Sequence, residues 1–418
     1  MKTQFSPFIK LAGVLLFSTF LLFSCSKKND APPLQQLVLE ISATDIDEGD
    51  EVTFTVTAGG KDIDADIYVD DTKISGTKHR FDKTGVYTVY AGQAGYADSQ
   101  KEEVEVYRTD VYVVGYERNG SGDVAKYWKN GTAVDLTDGS QYAEAHSVFV
   151  DKGDVYVAGY ESNETKAIAK YWKNGTATDL TDGSQNASAS SIFVDKGDVY
   201  VAGFESNGSG DVAKYWKNGA VTDLTDRSQR AEAFFVFVDN GDVYVAGFER
   251  NGSRDIAKYW KNGTATDLTD GNLHAYAYSI FVDNGDVYVA GREGFVAKYW
   301  KNGTATDLTD GNQEARASSV FVDNGDVYVA GFESNGSRED VAKYWKNGTA
   351  TDLTDGSQYA GATSIFVDNG DVYVAGAEWN GSNFVAKYWK NGTATDLTDG
   401  SQNAGAHSIF VTRTLGDK

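Results

Sequence analysis

One phrase, Asp-Val-Tyr-Val, returns seven times along this chain, beginning at Asp110, Asp154, Asp198, Asp242, Asp286, Asp326 and Asp371. The spacings are 44, 44, 44, 44, 40 and 45 residues. Self-similarity at a fixed period constrains the fold before any local reading, because each copy is one supersecondary unit that must bury its faces against its neighbours. Each copy reads approximately Asp-Val-Tyr-Val-Ala-Gly-Phe-Glu, a loop, and Val-Ala-Lys-Tyr-Trp-Lys-Asn-Gly-Thr-Ala-Thr-Asp-Leu-Thr-Asp-Gly. It ends in Gln-x-Ala-x-Ala-x-Ser-Ile-Phe-Val-Asp-Asn-Gly. Trp128, Trp172, Trp216, Trp260, Trp300, Trp345 and Trp389 mark the copies.

Turn chemistry divides each copy into strands. Asp239-Asn240-Gly241-Asp242 and its equivalents predict one tight hairpin, and Lys-Asn-Gly-Thr after each Trp predicts another, since Asn-Gly tolerates the positive φ of a type I′ turn. That gives four strands per copy, with no helical periodicity and no proline in the repeat region. Seven such units over residues 109–412 predict a seven-bladed β-propeller of four-stranded blades. The chain ends the region in Ala406-His407-Ser408-Ile409-Phe410-Val411, which can serve as innermost strand of the first blade, residues 110–137, and so remove both sheet edges. Residues 413–418 are then a tail, and an open β-solenoid is the alternative architecture. The Val-Tyr-Val-Ala-Gly and Tyr-Trp elements resemble kelch-type blades, with Ala-Gly where that family carries di-glycine. The resemblance implies the fold and no particular activity.

Residues 37–108 alternate short strands with turns, at 37–43, 51–58, 65–69, 86–91 and 102–107, which predicts a small β-sandwich. The stretch Gly85-Val86-Tyr87-Thr88-Val89-Tyr90-Ala91 resembles the sixth strand of immunoglobulin-like and PKD-type bacterial modules, where a tyrosine packs near a corner. Such modules are usually spacers. The expected fold class is therefore all-β, an Ig-like sandwich followed by the propeller.

Ahead of both lies an apolar run from Leu11 to Phe23, preceded by Lys2 and Lys10. It is short for a bilayer span and has the flanks of a signal peptide, residues 1–24. Its end, Leu22-Phe23-Ser24-Cys25, resembles the lipobox of bacterial lipoproteins, which implies cleavage before Cys25 and a diacylglyceryl thioether on this sole cysteine. Residues 25–36 then form a lipidated, proline-bearing flexible linker. Lys27, Lys28 and Asp30 after the cysteine resemble the export signal of surface lipoproteins, which implies an outer-membrane, cell-surface location with the membrane as partner through the lipid.

Composition narrows the function. With 38 Lys+Arg against 61 Asp+Glu, a formal charge of −23 and no basic stretch, a nucleic-acid partner is excluded. One cysteine leaves no disulfide or Cys-based cluster, and four histidines, His79, His146, His274 and His407, leave little for a metal site. No metal or cofactor is expected, although His146 and His407 hold equivalent positions in copies that become neighbours on ring closure. Phosphate-loop, Gly-x-Ser-x-Gly and His-Glu-x-x-His motifs do not occur, so the chain does not read as an enzyme. The alternatives are a polysaccharide hydrolase or lyase, drawing carboxylates from Glu144, Glu232 and Glu314, and a purely structural or assembly protein.

Positions constant among the copies serve what every blade shares. Seven constant glutamates, from Glu117 to Glu378, and seven constant lysines, from Lys126 to Lys387, are expected to pair across strands. Variation falls in the loop after that glutamate and at the x positions of Gln-x-Ala-x-Ala-x, which share one surface in a propeller. The ligand-binding candidates are accordingly Tyr142, Glu144, His146, Arg230, His274, Tyr276, Tyr278, Arg316, Tyr359 and Trp379. Aromatics beside amides and charges suit an extracellular glycan, with a ring stacking on a sugar face, or a protein loop.

Overall fold

The computed structural model describes residues 33–416, except Ser121 and Arg338. The expected signal peptide and Cys25 lie outside the described residues. The remaining chain is all-β and divides into two compact units, residues 33–109 with 413–416, and residues 110–412.

In the first unit, alternation of buried and exposed residues along Glu51–Ala58 puts Val52, Phe54, Val56 and Ala58 on one side. That strand pairs with Val38–Ile41, Lys61–Asp62 and Lys78–Arg80. A second sheet orders Thr72–Lys73, Asp66–Val69, Gly85–Gly92 and the start of Glu102–Arg118, with Asp45–Asp47 added in parallel. Their facing side chains, among them Leu37, Phe54, Ile67, Phe81, Val89 and Val104, make one core. The C-terminal strand Ala404–Leu415 also reaches this unit, where Arg413 pairs with Asp45 and Asp47 and lies 4.1 Å from the centre of the Tyr107 ring.

The second unit is built from repeated four-stranded antiparallel sheets. Six of them run in simple chain order, from Ala143–Asp151 to Thr176–Asp179 for the first and from Ala360–Asp368 to Thr393–Asp396 for the last. In a further set, Ala404–Leu415 pairs with Glu102–Arg118, which continues to Asp123–Lys129 and Thr132–Asp135. The hairpins take the expected turn chemistry. Asn174 has φ 49° and Gly175 φ 81°, and Asn174 Oδ1 accepts from the Val155 N–H at 2.9 Å while its amide donates to Asp154 at 2.8 Å.

Between consecutive sheets lie seven equivalent apolar layers. In one, Trp172, Val155 and Val157 of one sheet meet Tyr112, Val114 and Ala125 of the preceding sheet. In another, Trp128, Val111 and Val113 meet Tyr373, Ala375 and Ala386, so the first set packs on the last. Each constant lysine is pinned between two carboxylates. Lys170, with only 8% of its side chain exposed, lies 2.6 Å from Glu161 and 3.2 Å from Asp179 of the outermost strand. The expected Glu–Lys pairs thus form, but in a partly dry setting and with a third member.

The innermost strands close a circle. Phe149, Phe193, Phe237, Phe281, Phe321, Phe366 and Phe410 stand ring against ring, each centroid 4.7–5.0 Å from the next, and Phe410 returns to Phe149. Serine hydroxyls tie the same strands together: Ser147 accepts from the Ile192 N–H at 3.2 Å, and Ser408 from the Val148 N–H at 3.4 Å. These features are those of a β-propeller built from sequence repeats.

Candidate ligand-binding site

A β-bulge creates the site. In six of the sheets the innermost strand slips register between the second Ala and the next residue, as at Ala145/Ser147 and Ala277/Ser279. The extra residue has no partner across the ladder and is re-aimed. It is the third x position, and all seven of these residues, His146, Ser190, Phe234, Tyr278, Ser318, Thr363 and His407, line one central cavity of about 620 Å³. The bulge also explains the constant glycine of Ala-Gly. A Cβ on Gly159 would stand 2.0 Å from the Glu144 carbonyl oxygen, and one on Gly115 would stand 1.8 Å from that of Gly405.

One wall of the cavity is aromatic and cationic. The Tyr276 and Tyr278 rings stack at 5.8 Å with 15° between planes, and Phe234 lies 5.4 Å from Tyr278. The Arg316 guanidinium sits 3.8 Å from the centre of the Tyr278 ring. Among the described residues Arg316 forms no ion pair, and its Nε has no hydrogen-bond partner. Burial and the neighbouring Arg292 charge push its pKa down despite the Tyr278 ring.

The opposite wall carries Glu144, His146 and His407, whose ligand-type atoms all lie within 4.8 Å of one another. Tyr160 donates to Glu144 Oε1 at 3.2 Å, and His146 Nε2 is 3.4 Å from Glu144 Oε2. Burial and the nearby His146 push the His407 imidazole down to about 4, so it is neutral at pH 7. Burial would raise the Glu144 carboxyl, but the His146 hydrogen bond and the two imidazoles hold it below its usual value.

Beside the cavity is a cleft of about 470 Å³, lined by Arg230, Arg250, Arg254, Arg292, Asp255, His274, Tyr276 and Phe295, among others. It occurs in the copy whose spacing is 40 residues, where the hairpin Glu293-Gly294-Phe295 is cut short. Asp255 anchors it. Its carboxylate, 1% exposed, accepts from Arg250 at 2.9 Å and from the Tyr276 hydroxyl at 2.7 Å, and lies 3.0 Å from His274 Nδ1. Burial opposes ionisation of Asp255, yet these partners keep its pKa below the usual value, and burial with the same contact pushes the Tyr276 phenol up to about 12.

The candidates therefore divide. Glu144, His146, Tyr278 and Arg316 line the central cavity, while Arg230, His274 and Tyr276 line the cleft. Tyr142 is 51% exposed and Tyr359 41% exposed, outside both, and the backbone N–H of Trp379 donates to the Tyr359 carbonyl at 2.7 Å. The carboxylates considered for hydrolysis are each engaged: Glu232 with Arg230, Glu314 with Arg292, and Glu144 with Tyr160. Sequence reasoning missed the residue before the constant glutamate, which pairs opposite the second x position. It reads Tyr116, Tyr160, Phe204, Phe248, Arg292, Phe332 and Ala377, and that variation among copies was its signal. Asp255, on the strand Arg254–Lys261 and opposite Arg250, was also missed.

No protein-family profile and no curated protein matches the chain. Among solved structures, it is similar to a structural genomics protein of unknown function from Bacteroides thetaiotaomicron VPI-5482, with 11% identity and TM-score 0.42, over 91% of this chain and 99% of that one. It is also similar to the β-propeller domain of the Trilobed protease from Pyrococcus furiosus, described as having an open velcro topology, with 9% identity and TM-score 0.40, over 87% of this chain and 99% of that one.

Proposed function

We propose that this chain is a lipid-anchored protein of the bacterial outer membrane, displayed at the cell surface, whose propeller binds an extracellular glycan. The propeller is read as seven-bladed, with Ala404–Leu415 as innermost strand of the first blade. The seven-member phenylalanine circle supports that count. The first unit is read as an Ig-like spacer. Supporting this, the Tyr87 hydroxyl donates to the Lys83 carbonyl at 3.0 Å, the back-reaching bond of a tyrosine corner. The lipid anchor at Cys25 rests on the sequence motif alone.

The observation that carries the binding role is Arg316. A guanidinium without a carboxylate partner, stacked on a tyrosine and set in the wall of a concave site, is suited to hydroxyl, carboxylate or sulfate oxygens of an incoming sugar. Tyr278 and Tyr276 present neighbouring rings, one to the cavity and one to the arginine-lined cleft, which fits a chain of sugars rather than a single one. Of the four arginines in the cleft, Arg230, Arg250 and Arg292 are paired with Glu232, Asp255 and Glu314, and it is Arg254, with Arg316 in the cavity, that favours an anionic polysaccharide.

A glycan array carrying uronic-acid, sulfated and neutral oligosaccharides tests the reading. Retention of acidic glycans by the wild type and their loss from Arg316→Gln supports it. An array in which neutral and acidic glycans bind alike, and Arg316→Gln changes nothing, contradicts it.

A further inference from the structure

We infer that Glu144, His146 and His407 form a site for a borderline divalent cation of the Zn²⁺ class, with an open position facing the central cavity. The set is two imidazoles and one carboxylate, which zinc binds together with one exchangeable ligand. The donors come from two sheets: Glu144 and His146 from Ala143–Asp151, and His407 from Ala404–Leu415. Only ring closure brings them together, and the bulge at Ala145/Ser147 turns His146 inward.

Hydrogen bonding has already chosen the ring nitrogens. His146 Nδ1 is 3.1 Å from the Ala189 carbonyl oxygen, and His407 Nδ1 is 3.1 Å from the Ala145 carbonyl oxygen. A carbonyl only accepts, so each Nδ1 carries a proton; His407 Nε2 is left to bind a metal, and a metal would take His146 Nε2 and Glu144 Oε2 in place of the contact between them. This backbone-carbonyl support is the usual outer shell of a metal-binding histidine. Tyr160 holds the far carboxylate oxygen, Oε1, and frees Oε2.

One of the three spacings has the value a tetrahedral ion sets, and all three are within 4.8 Å. Two ligands on a tetrahedral ion with bonds of about 2.05 Å stand roughly 3.4 Å apart, and His146 Nε2 to Glu144 Oε2 is 3.4 Å. Gly405 completes the arrangement. It occupies the place that Glu144 fills in the neighbouring copy, and a Cβ there would stand 2.9 Å from Tyr116 and 3.5 Å from His407 Nε2. A larger residue would crowd the imidazole.

Three protein ligands leave a fourth position open to an oxygen of whatever occupies the cavity. The competing description is a plain His146–Glu144 ion pair with His407 packed beside it. This inference does not depend on the glycan reading, and its test uses the metal alone.

The full-length chain, stripped with EDTA and desalted, is titrated with Zn²⁺ by calorimetry and with Co²⁺ by visible absorption. We expect one saturable Zn²⁺ per chain, a Co²⁺ spectrum of low-coordinate type, and a melting temperature raised by Zn²⁺. His146→Ala and Glu144→Gln should each weaken Zn²⁺ binding at least about tenfold and lose the melting shift, while Glu314→Gln leaves both intact. Since His407→Ala sits on the closing strand, its circular dichroism is compared first, and the other two variants carry the test if it unfolds. Absence of saturable binding, retention of it in the variants with Glu144 and His146 replaced together, or equal competition by Ca²⁺ overturns the site.

Discussion

Phe410 lies with its ring centre 4.8 Å from that of Phe149, on a strand whose Ser408 accepts the Val148 N–H across 260 residues of sequence. The last strand of the repeat region therefore completes both the aromatic circle and the hydroxyl chain. Phe410→Ala should cost about 2–4 kcal/mol, somewhat less than a fully buried phenylalanine because the ring is half-buried. Deleting residues 403–418 should do more, exposing two sheet edges and causing aggregation. Denaturant unfolding with light scattering checks both, and a truncated chain that stays monomeric with an unchanged midpoint would speak against closure by this strand.

The serine chain has a gap. Ser191 accepts the buried Val236 N–H at 3.2 Å, but the equivalent residue of the next copy is Phe235. Ser191→Ala should destabilise by about 1–2 kcal/mol, the cost of stranding a buried donor. Ser→Ala at the other links should cost similar amounts. The same substitution costing nothing at several links would show that the hydroxyls are incidental to packing.

Asp255 makes stability depend on pH. Its folded pKa is lowered, so its contribution is fully present above the ordinary carboxylate value of 3.8 and fades as pH falls through the lower folded value. Asp255→Asn should cost about 1–3 kcal/mol at pH 7, the half-exposed Arg250 being able to recover some hydration. The gap between wild type and variant should narrow below pH 4 in urea titrations. A gap that stays constant to low pH would mean that Asp255 acts through packing and not through charge.

Much of this molecule is legible in its sequence, and the reasons are local. Asn-Gly turns require positive φ at both central residues, and Asn262 and Gly263 have it, so strand boundaries follow from composition. The Glu249–Lys258 pair, at 2.7 Å, follows from constancy among copies. The bulge is harder to read. Strict alternation would carry Tyr276 and Tyr278 along one face, but the Ala277/Ser279 register shift separates them into cleft and cavity. Its trace in the sequence is the pair of consecutive buried residues Ser279 and Ile280, which breaks the period of two. The nearness of His146 and His407 follows from their equivalent positions once the ring is closed, but that Glu144 joins them does not follow from spacing.

The anchor is tested at Cys25, outside the described residues. A palmitate analogue fed to cells expressing the full chain should label the wild type and not Cys25→Ala, and labelling should follow the membrane fraction. Equal labelling of both forms would remove the lipid from this account.

The central claim is that the seven third x positions, with Arg316, line one central cavity and that the ligand binds there. Isothermal titration of an acidic oligosaccharide selected on the array should give one site per chain. Tyr278→Ala and Arg316→Gln should each weaken it by about 1–3 kcal/mol, roughly fivefold to 150-fold, with melting curves unchanged. Affinity that survives both substitutions and falls instead when Tyr142, Tyr359 and Trp379 are replaced would place the site at the outer rim and contradict the claim.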